Sequence, residues 1–344
     1  MKKIMQCLMG LDIGGAETHV VELCKGLKAR GYEVMVASNG GLYEKELIQA
    51  GVRVVTIPMH SKNPVYVLKS LGLLYSNIRS FKPDVVHAHA RIPALYVSIM
   101  KKFLKFRMMT TVHGKFKINW VLKKITQWGE EIFVISEDIE TYLLENYDLK
   151  GASIHQTING IDTEKFKRDA VSYPYKKLIH VSRLEKDTSK MAGLLIGLAA
   201  ETDLDITVVG GGEMLEELRS RSNGLDNITF TGSTDQVDAM LRQADIFVGI
   251  SRAALEAMSM NMPMVLSGEY GAMGILTTDQ LGAAISNNFT ARGMTELTYE
   301  NLKRDIEALR LMPPEAFKWE REFTEKHYSV GKMVDDYVGV YANV

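Results

Sequence analysis

The sequence predicts an α/β protein made of two doubly wound, Rossmann-like domains that face each other across a cleft. Its 344 residues are enough for two domains of ordinary size. Apolar runs of strand length alternate with amphipathic helical stretches, which is the pattern of βαβ units and of a parallel sheet. This alternation breaks once, near residues 163–175, and then starts again. Ligands of such sheets bind beyond the carboxyl ends of the strands, so the candidate functional residues are sought there.

The predicted strands form two sets, one on either side of the break. In the first half they are residues 4–9, 34–37, 52–57, 85–89, 108–112 and 132–135. In the second half they are residues 178–181, 206–209, 228–230, 246–248 and 264–266. Past residue 297 the chain is charged and helical, and the predicted helices are 298–310, 314–326 and 330–342. We predict a first domain over residues 1–168, a second over 169–326 and a last helix within 327–344.

The composition is that of an ordinary folded protein, with 46% hydrophobic and 24% charged residues. Lys and Arg number 41 against 42 Asp and Glu, so the chain as a whole has no electrostatic footprint for nucleic acid. The charge is unevenly distributed, with a net of +8 over residues 1–168 and −9 over the remainder. This asymmetry predicts that the first half faces something anionic.

The two cysteines, Cys7 and Cys24, fall on a predicted strand and a predicted helix. We interpret both as small core residues, which leaves no disulfide framework and fits a reducing, cytoplasmic compartment. The start of the chain is predicted to be a strand, because Asp12 and Glu17 stand where a leader peptide would have its small-residue cleavage site. No apolar run approaches 18 residues, so no membrane span is predicted.

Two adjacent glycines, Gly14 and Gly15, separate the first predicted strand from the first predicted helix. Glycines at this place let a ligand approach the backbone amides of the helix N-terminus, which favour anions. The alternative is a tight turn that needs glycine. A dinucleotide-binding fingerprint is absent, and Ser38 ends the second strand where a dehydrogenase would have an acidic residue.

Three histidines lie on or after neighbouring strands. His87 and His89 are two residues apart on one strand and therefore share a face. A metal site is one interpretation, but no Cys, Asp or Glu is near them in sequence, and core or cleft-lining histidines are favoured. His113 closes the next strand and precedes a glycine, so it is predicted to project into the cleft, with a capping role as the alternative.

A basic and aromatic segment lies between residues 85 and 129, where the sequence has nine Lys or Arg residues and no acidic residue. Phe103, Phe106, Phe116, Trp120 and Trp128 are interleaved with these charges. This pattern predicts a surface that lies on anionic headgroups or binds a phosphate-bearing lipid acceptor. The alternative is a solvated helix face whose aromatic side chains are in the core. The membrane or acceptor patch is assigned to Lys101, Lys102, Lys105, Arg107, Lys117, Trp120, Lys123 and Lys124.

In the second half, Arg183 ends a strand and Lys190 follows at the next helix, which predicts a clamp for a diphosphate. Gly211 and Gly212, after the next strand, let the backbone approach a nucleoside or a phosphate, although a simple turn explains them equally well.

A second helix start follows the strand at 246–248. Ser251 is the predicted N-cap, and Arg252 the predicted first-turn cation. Glu256 lies one turn further, where its carboxylate can accept hydrogen bonds from sugar hydroxyls. On its own, a glutamate at this place would more often be an ordinary helix residue.

These residues together resemble those of the retaining group 1 glycosyltransferases, usually called family 4, which have the two-domain GT-B fold. Each motif is weak alone, but their order and spacing over roughly residues 2–275 are specific. The matching segments are 14–15 (GG), 82–87 (KPDVVH), 111–113 (TVH), 134–137 (VISE), 158–162 (INGID) with Phe166, 181–184 (VSRL), 208–212 (VVGGG), 230–232 (FTG), 244–248 (ADIFV) and 255–258 (LEAM).

The resemblance implies transfer of a sugar from a nucleotide diphosphate donor, with the nucleotide in the second domain and the acceptor on the first. It implies that Arg183 and Lys190 hold the diphosphate, although they are two residues further apart than is usual in the family. Glu256 then contacts the ribose, and His113 lies by the transferred sugar. Gly14 and Gly15 line the diphosphate and acceptor side.

The resemblance also implies that the last helix crosses back to the first domain. Because Arg, Lys and helix amides can stabilise the leaving diphosphate, we expect no cofactor and no obligatory metal.

One departure from the family concerns donor-sugar recognition. Family members carry a pair of glutamates eight residues apart, whereas Val248 stands eight residues before Glu256. We expect the glycine-rich loop at 268–274, with Gly271, to bring amides to the donor sugar instead.

The expected function is therefore transfer of a hexose or N-acetylhexosamine from a nucleotide sugar, of the UDP type, to an acceptor. The expected acceptor is a lipid-linked saccharide of cell-envelope polysaccharide synthesis, at the inner face of the cell membrane. Two alternatives remain open: a nucleotide-sugar epimerase of the same fold, and a degenerate, non-catalytic partner protein.

Overall fold

The computed structural model describes residues 2–61, 63–170 and 172–343. The chain forms two compact units, one comprising Met1–Gly160 with Val330–Val344 and the other Ile161–Ser329. Each unit is built on its own largely parallel sheet, so the predicted fold class of two parallel-sheet α/β domains is confirmed. The sequence boundary was expected after residue 168, whereas the compact units divide after Gly160.

The first unit contains a seven-stranded parallel sheet with the order β3-β2-β1-β4-β5-β6-β7. Its strands are β1 Lys3–Cys7, β2 Glu33–Ser38, β3 Arg53–Thr56, β4 Val85–Ala88, β5 Arg107–Val112, β6 Glu131–Val134 and β7 Ser153–Gln156. Its helices are α1 Gly15–Ala29, α2 Glu44–Gln49, α3 Pro64–Phe81, α4 Arg91–Lys101, α5 Trp120–Ile125, α6 Glu137–Asn146 and α14 Val330–Tyr341. Cys7 and Cys24 are buried in the core as predicted.

Helix α14 packs on α1 within the first unit. Val20, Val21, Cys24 and Leu27 recur at helical spacing along α1 and form its buried face. The two helices approach closely at Gly26, where a Cβ would lie 2.4 Å from Val334 Cγ2. A residue without a side chain is therefore required on α1 at the point where α14 crosses it.

The second unit contains a six-stranded sheet with the order β10-β9-β8-β11-β12-β13, in which only the edge strand β13 is antiparallel. Its strands are β8 Lys177–Val181, β9 Asp205–Val209, β10 Ile228–Gly232, β11 Ile246–Gly249, β12 Met264–Gly268 and β13 Gly271–Ile275. Its helices are α7 Lys190–Glu201, α8 Leu215–Arg221, α9 Val237–Gln243, α10 Ser251–Met258, α11 Leu281–Ser286, α12 Tyr299–Leu309 and α13 Trp319–His327.

Two strands were not predicted, and both lie at a sheet edge. Strand β7 is half-exposed, and its sequence SIHQ contains no apolar run. Strand β13 covers the glycine-rich segment predicted to be a donor-binding loop, so the loop prediction for residues 271–274 is wrong. The glycines allow a tight turn after β12, and the chain then runs back beside β12 as an antiparallel strand in which Gly271 pairs with Gly268. The helix predicted at 314–326 is a short 3₁₀ turn followed by α13.

We expect Gly26→Ala and Gly72→Ala to change the stability of the first unit in opposite directions. Alanine has the higher helix propensity, so Gly72→Ala, in open space on α3, should raise the free energy of unfolding by roughly 0.5–1 kcal/mol. At Gly26 the added methyl group displaces Val334, so we expect a loss of roughly 1–3 kcal/mol. Urea denaturation of both variants tests this, and a stabilised Gly26→Ala variant would contradict the packing.

Candidate active site

The carboxyl edge of the first sheet carries the predicted glycines and histidines. The chain leaves β1 toward one side of the sheet and β4 toward the other, so a topological switch point lies between these two central strands. Gly14 is the N-cap of α1 in an extended conformation, φ −179°, which any residue can adopt. Gly15 has no left-handed φ, and a Cβ there would meet nothing within 4 Å. The tight-turn alternative therefore does not explain this glycine pair.

His113 directly follows β5 and is half-buried at the same edge. Its Nε2 lies 3.1 Å from His89 Nδ1. Burial lowers the pKa of His113 to about 4, and burial with the nearby His113 lowers the pKa of His87 to about 3. Burial, together with the nearby His87, His113 and His19, also holds the pKa of His89 well below its ordinary value. The three imidazoles are therefore neutral at pH 7.

His87 and His89 are buried side chains that bond to protein groups. His87 contacts Thr111 Oγ1 and a tyrosine hydroxyl, and His89 contacts Gln6 Oε1 at 2.7 Å. This confirms the core interpretation of the two histidines. Among residues 2–61, 63–170 and 172–343, no group of three or more His, Cys, Asp or Glu side chains has the arrangement of a metal site.

The carboxyl edge of the second sheet carries Arg183 and Lys190. Here the switch point lies between β8 and β11, and Arg183 follows β8 as an exposed residue. Lys190 is the first residue of α7, and its Nζ donates a hydrogen bond to Leu297 O at 2.8 Å and lies 3.8 Å from the Glu296 carboxylate. The structure places both cations at the predicted edge, with Lys190 bonded to the segment before α12.

The glycine run after β9 is explained by backbone packing. Gly210 and Gly212 have left-handed φ values of 142° and 152°. A Cβ on Gly212 would lie 2.4 Å from Leu184 O, and Leu184 N donates to Gly211 O at 2.9 Å. The turn therefore packs directly against the backbone of residues 182–184, and this contact requires glycine at Gly212 whether or not a ligand binds.

Helix α10 begins differently from the prediction. Its first residue is Ser251, and the N-cap is Ile250, so the assignment of Ser251 as an N-cap is wrong. Ser251 has a left-handed φ of 62°, and its amide donates to Phe289 O at 2.6 Å. The amide is directed to the backbone of the following segment, and this bond holds the helix start in a strained conformation.

Arg252 and Glu256 form a buried ion pair on α10. The Nε of Arg252 donates to Glu256 Oε1 at 3.0 Å, and each residue is only 7% exposed. Arg252 lies in the first turn of α10 as predicted, and its charge is paired with Glu256 one turn along the helix. Burial raises the pKa of Glu256, and the Arg252 guanidinium opposes that rise. Arg252 Nη1 has no hydrogen-bond partner among the described residues.

Glu269 is a candidate functional residue that the sequence analysis did not single out. It lies in the turn between β12 and β13, at the same edge as Arg183, and is half-buried. Burial and the nearby Asp187 raise the pKa of Glu269 from an ordinary 4.5 to about 7. Its Oε1 is buried without a hydrogen-bond partner in the described part of the chain. Nothing in a glycine-rich sequence signals that this carboxylate is desolvated.

The segment from residue 287 to 297 was also missed. Asn288, Phe289 and Ala291 all have left-handed φ values, which costs non-glycine residues about 1–2 kcal/mol each. Two carbonyl oxygens of this segment accept hydrogen bonds, Phe289 O from the Ser251 amide at the start of α10 and Leu297 O from the Lys190 ammonium. It also lies against Gly271, where a Cβ would be 2.3 Å from Ala291 O, so the glycine there is explained by this close approach.

Most of the basic patch lies at the amino edge of the first sheet and along α5, but Lys117 lies in the segment after β5, where its carbonyl accepts a hydrogen bond from Arg91 at the start of α4. Trp120 is 74% exposed and Phe103 is 69% exposed, whereas Trp128 is 4% exposed and belongs to the core, so its predicted place on the surface is wrong. Lys124 Nζ lies 5.7 Å above the Trp120 ring. Lys101 pairs with Glu130, and Arg107 pairs with Glu131 at 2.7 Å. These acidic residues follow the acid-free segment and neutralise part of its charge.

Part of the patch surrounds a cavity of about 860 Å³ in the first unit. Its lining includes Lys101, Lys102, Trp120, Lys123 and Lys124. The beginning of β5, at Arg107, is six residues from His113, which is about 20 Å along an extended strand. The cavity and His113 therefore lie at opposite edges of the same sheet.

We expect Glu269→Gln to stabilise the second unit more at pH 8 than at pH 4.5. The native carboxyl keeps its proton up to about pH 7, whereas the unfolded chain loses it near 4.5. Stability therefore falls as the pH rises through this window, and glutamine removes that loss of roughly 1–3 kcal/mol. Calorimetric melting at both pH values, with exposed Glu213→Gln as the control, measures it. An equal effect of Glu269→Gln at both pH values would contradict a raised pKa.

No helix in the described residues is both long enough and apolar enough to span a bilayer.

Comparison with known proteins identifies both units. Residues 13–165 match the model of Glycosyltransferase Family 4, and residues 175–295 match that of Glycosyl transferases group 1. The phosphatidyl-myo-inositol mannosyltransferase of Mycobacterium leprae is 24% identical and the O-antigen biosynthesis glycosyltransferase WbnH of Escherichia coli is 23% identical. The first alignment covers 81% of each chain, and the second covers 80% of this chain and 84% of WbnH.

A solved structure, Anabaena HepE in complex with UDP and glucose, superimposes with a TM-score of 0.79 at 14% identity and covers 100% of both chains. The fold is therefore that of HepE, and the two family matches follow each other along the chain in the order of its two units. The chain belongs to the group 1, family 4 glycosyltransferases and has their GT-B fold.

Proposed function

We propose that this glycosyltransferase moves a hexose or an N-acetylhexosamine from a UDP-sugar to a lipid-linked saccharide during cell-envelope polysaccharide synthesis. The observation that carries the proposal is the position of Arg183 at the switch point of the second sheet, in a unit that matches the group 1 model. The UDP and glucose bound to HepE support the donor class. The names of the mannosyltransferase and of WbnH support a lipid or envelope-glycan acceptor.

The proposed donor site is the carboxyl edge of the second sheet. Arg183 and Lys190 bind the diphosphate, and Lys190 does so by exchanging its bond to Leu297 O for one to a phosphate oxygen. Glu256 accepts hydrogen bonds from the ribose through the carboxylate that Arg252 orients. The remaining donor contacts are proposed for Gly211, Gly212, Ser251, Arg252 and Gly271.

From the family resemblance we propose that His113 contacts the transferred sugar and that Gly14 and Gly15 line the diphosphate and acceptor side. Open space at Gly15 lets a phosphate or sugar oxygen approach the amides at the start of α1. When the anomeric bond breaks, charge grows on the departing UDP, and Arg183 and Lys190 stabilise it. We propose on this ground that transfer needs no metal, and from the family that anomeric configuration is retained.

The proposed acceptor is held at an anionic membrane surface by the basic patch. The side chains of Trp120 and Phe103 are apolar groups exposed among cations, the combination that binds the headgroup region of a bilayer. We propose that the protein acts as a peripheral enzyme on the cytoplasmic face. The patch binds the surface at the amino edge, while the reacting hydroxyl of the acceptor is used at the opposite edge, beside His113.

Calorimetric titration with UDP, GDP and ADP tests the donor proposal. We expect UDP to bind, with unchanged affinity after EDTA treatment, and Arg183→Ala to weaken it about tenfold or more because a charge-assisted hydrogen bond is lost. Arg304→Ala, an exposed arginine on α12, is the matched control. Glu256→Gln is preferable to Glu256→Ala, which would leave Arg252 buried without its partner.

Each other outcome of this titration has a definite meaning. Tighter binding of GDP or ADP would overturn the UDP assignment. Absence of binding by all three nucleotides would favour the non-catalytic partner. Conversion of a UDP-sugar to its epimer in a mixture without acceptor would favour the epimerase.

Sedimentation with phosphatidylglycerol vesicles tests the membrane proposal. Each Lys near an anionic surface contributes about 1 kcal/mol, so changing Lys101, Lys102, Lys123 and Lys124 to Glu should abolish binding at physiological salt. The control carries Glu at four exposed lysines outside the patch, Lys45, Lys69, Lys318 and Lys326. We expect no sedimentation with phosphatidylcholine. If the patch variant sediments like the unchanged protein, the membrane proposal fails.

A further inference from the structure

A continuous chain of buried hydrogen bonds runs through the first unit from His113 to helix α14 and back to the loop after β7. It uses side chains on or directly after three strands, β1, β4 and β5, one side chain from the loop after β7, and others from α1 and α14. In order from the carboxyl edge, its members are His113, His89, Gln6, Tyr341, His87, Thr111, Tyr337, His19 and Asn159.

Five of the eight bonds along this hydrogen-bond chain are 2.8 Å or shorter. From His113 to Tyr341 the heavy-atom distances are 3.1, 2.7 and 3.2 Å. From Tyr341 through His87, Thr111 and Tyr337 to His19 they are 2.6, 2.8, 2.8 and 2.8 Å, and the last bond, to Asn159, is 3.4 Å. All members except His113 are buried, so water does not compete with these bonds.

The Gln6 amide fixes the direction of the first bonds. Its Nε2 donates to Tyr341 Oη, and its Oε1 faces His89 Nε2, which must therefore carry a hydrogen. A neutral imidazole has one N–H, so His89 Nδ1 is an acceptor. His113 Nε2 must then donate to it, which leaves the Nδ1 of a neutral His113 with a bare lone pair.

The remaining bonds are consistent with the same direction. Tyr341 donates its hydroxyl proton to His87 Nδ1, and His87 Nε2 donates to Thr111. Thr111 then donates to Tyr337, and Tyr337 donates to His19 Nε2. The last bond runs from His19 Nδ1 to Asn159 Oδ1, an oxygen that can only accept. The amides near both ends thus agree with one arrangement of protons.

We propose that Tyr341 and Gln6 are positioning residues that hold His113 in the tautomer protonated on Nε2, so that its Nδ1 accepts a hydrogen bond from a hydroxyl of the transferred sugar. Nδ1 of His113 has no hydrogen-bond partner among the described residues, and His113 is the only chain member that is not buried. The sugar contact rests on the proposed function, whereas the tautomer does not. A helix near the end of the sequence thereby determines which nitrogen the site presents.

Nitrogen NMR of protein labelled with ¹⁵N-histidine measures the tautomer directly. His113 is assigned by the loss of its signals in His113→Gln. We expect a protonated Nε2 and a bare Nδ1 in the unchanged protein. In Tyr341→Phe the Gln6 amide loses its acceptor and can turn, so the preference of about tenfold that one hydrogen bond provides should disappear and both nitrogens should give averaged shifts.

Tyr32→Phe is the matched control, because the Tyr32 ring lies 6.5 Å from that of Tyr341 but the Tyr32 hydroxyl is not a member of the series of hydrogen bonds. If Tyr341→Phe does not fold, Gln6→Leu removes the acceptor for His89 and should give the same averaging. A His113 protonated on Nδ1, or an unchanged pattern in a folded Tyr341→Phe or Gln6→Leu variant, would overturn the proposal.

Binding separates the tautomer from the sugar contact. In Tyr341→Phe we expect the Kd for the UDP-sugar to rise several-fold while the Kd for UDP stays the same. A lost tautomer preference with equal UDP-sugar affinity would overturn the sugar contact only. Absence of UDP binding by the unchanged protein would be a failure of the proposed function, and the NMR result would stand without it.

Discussion

Parallel strand pairing is the constraint on which the candidate site depends. All strands of a parallel sheet end at the same edge, so residues far apart in sequence meet there without any direct signal between them. In the second unit this brings Arg183, Ser251 and Glu269 to one edge after three different strands. In the first unit it does the same for Gly14, His89 and His113. A single slipped strand would separate these groups, because successive side chains alternate between the two faces.

Polar groups in the interior are the second determinant of this structure. An unsatisfied buried donor or acceptor costs about 1–3 kcal/mol, and a buried charge costs more. The second unit meets this cost by pairing Arg252 with Glu256 on one helix face. The first unit bonds four of its histidines, His19, His87, His89 and His113, in one series of hydrogen bonds. The groups left without partners among the described residues, such as Glu269 Oε1, stand out against this background.

Much of the fold was predictable from sequence, because buried parallel strands have apolar sequences and alternate with amphipathic helices. The two missed strands, β7 and β13, have polar or glycine-rich sequences and owe their conformation to a neighbouring strand. Residue positions at the sheet edges were also predictable. Their environment was not: the four-residue spacing of Arg252 and Glu256 permits a contact but does not reveal its burial. The bond between His87 and Tyr341 joins residues 254 apart, which no local pattern indicates.

The position of α14 in the sequence has a consequence for synthesis on the ribosome. Tyr337 and Tyr341 are translated some 170 residues after the rest of their unit, and the whole second unit lies between. The second unit is continuous and can fold as soon as it emerges, whereas Gln6, His19 and His87 lack their α14 partners until residues 330–341 have also been made. A nascent first unit therefore has unpaired polar groups in its core and an uncovered apolar face on α1. Its completion is a late event, and a chain truncated before α14 would keep its seven strands but lack the hydroxyl groups that bond its histidines.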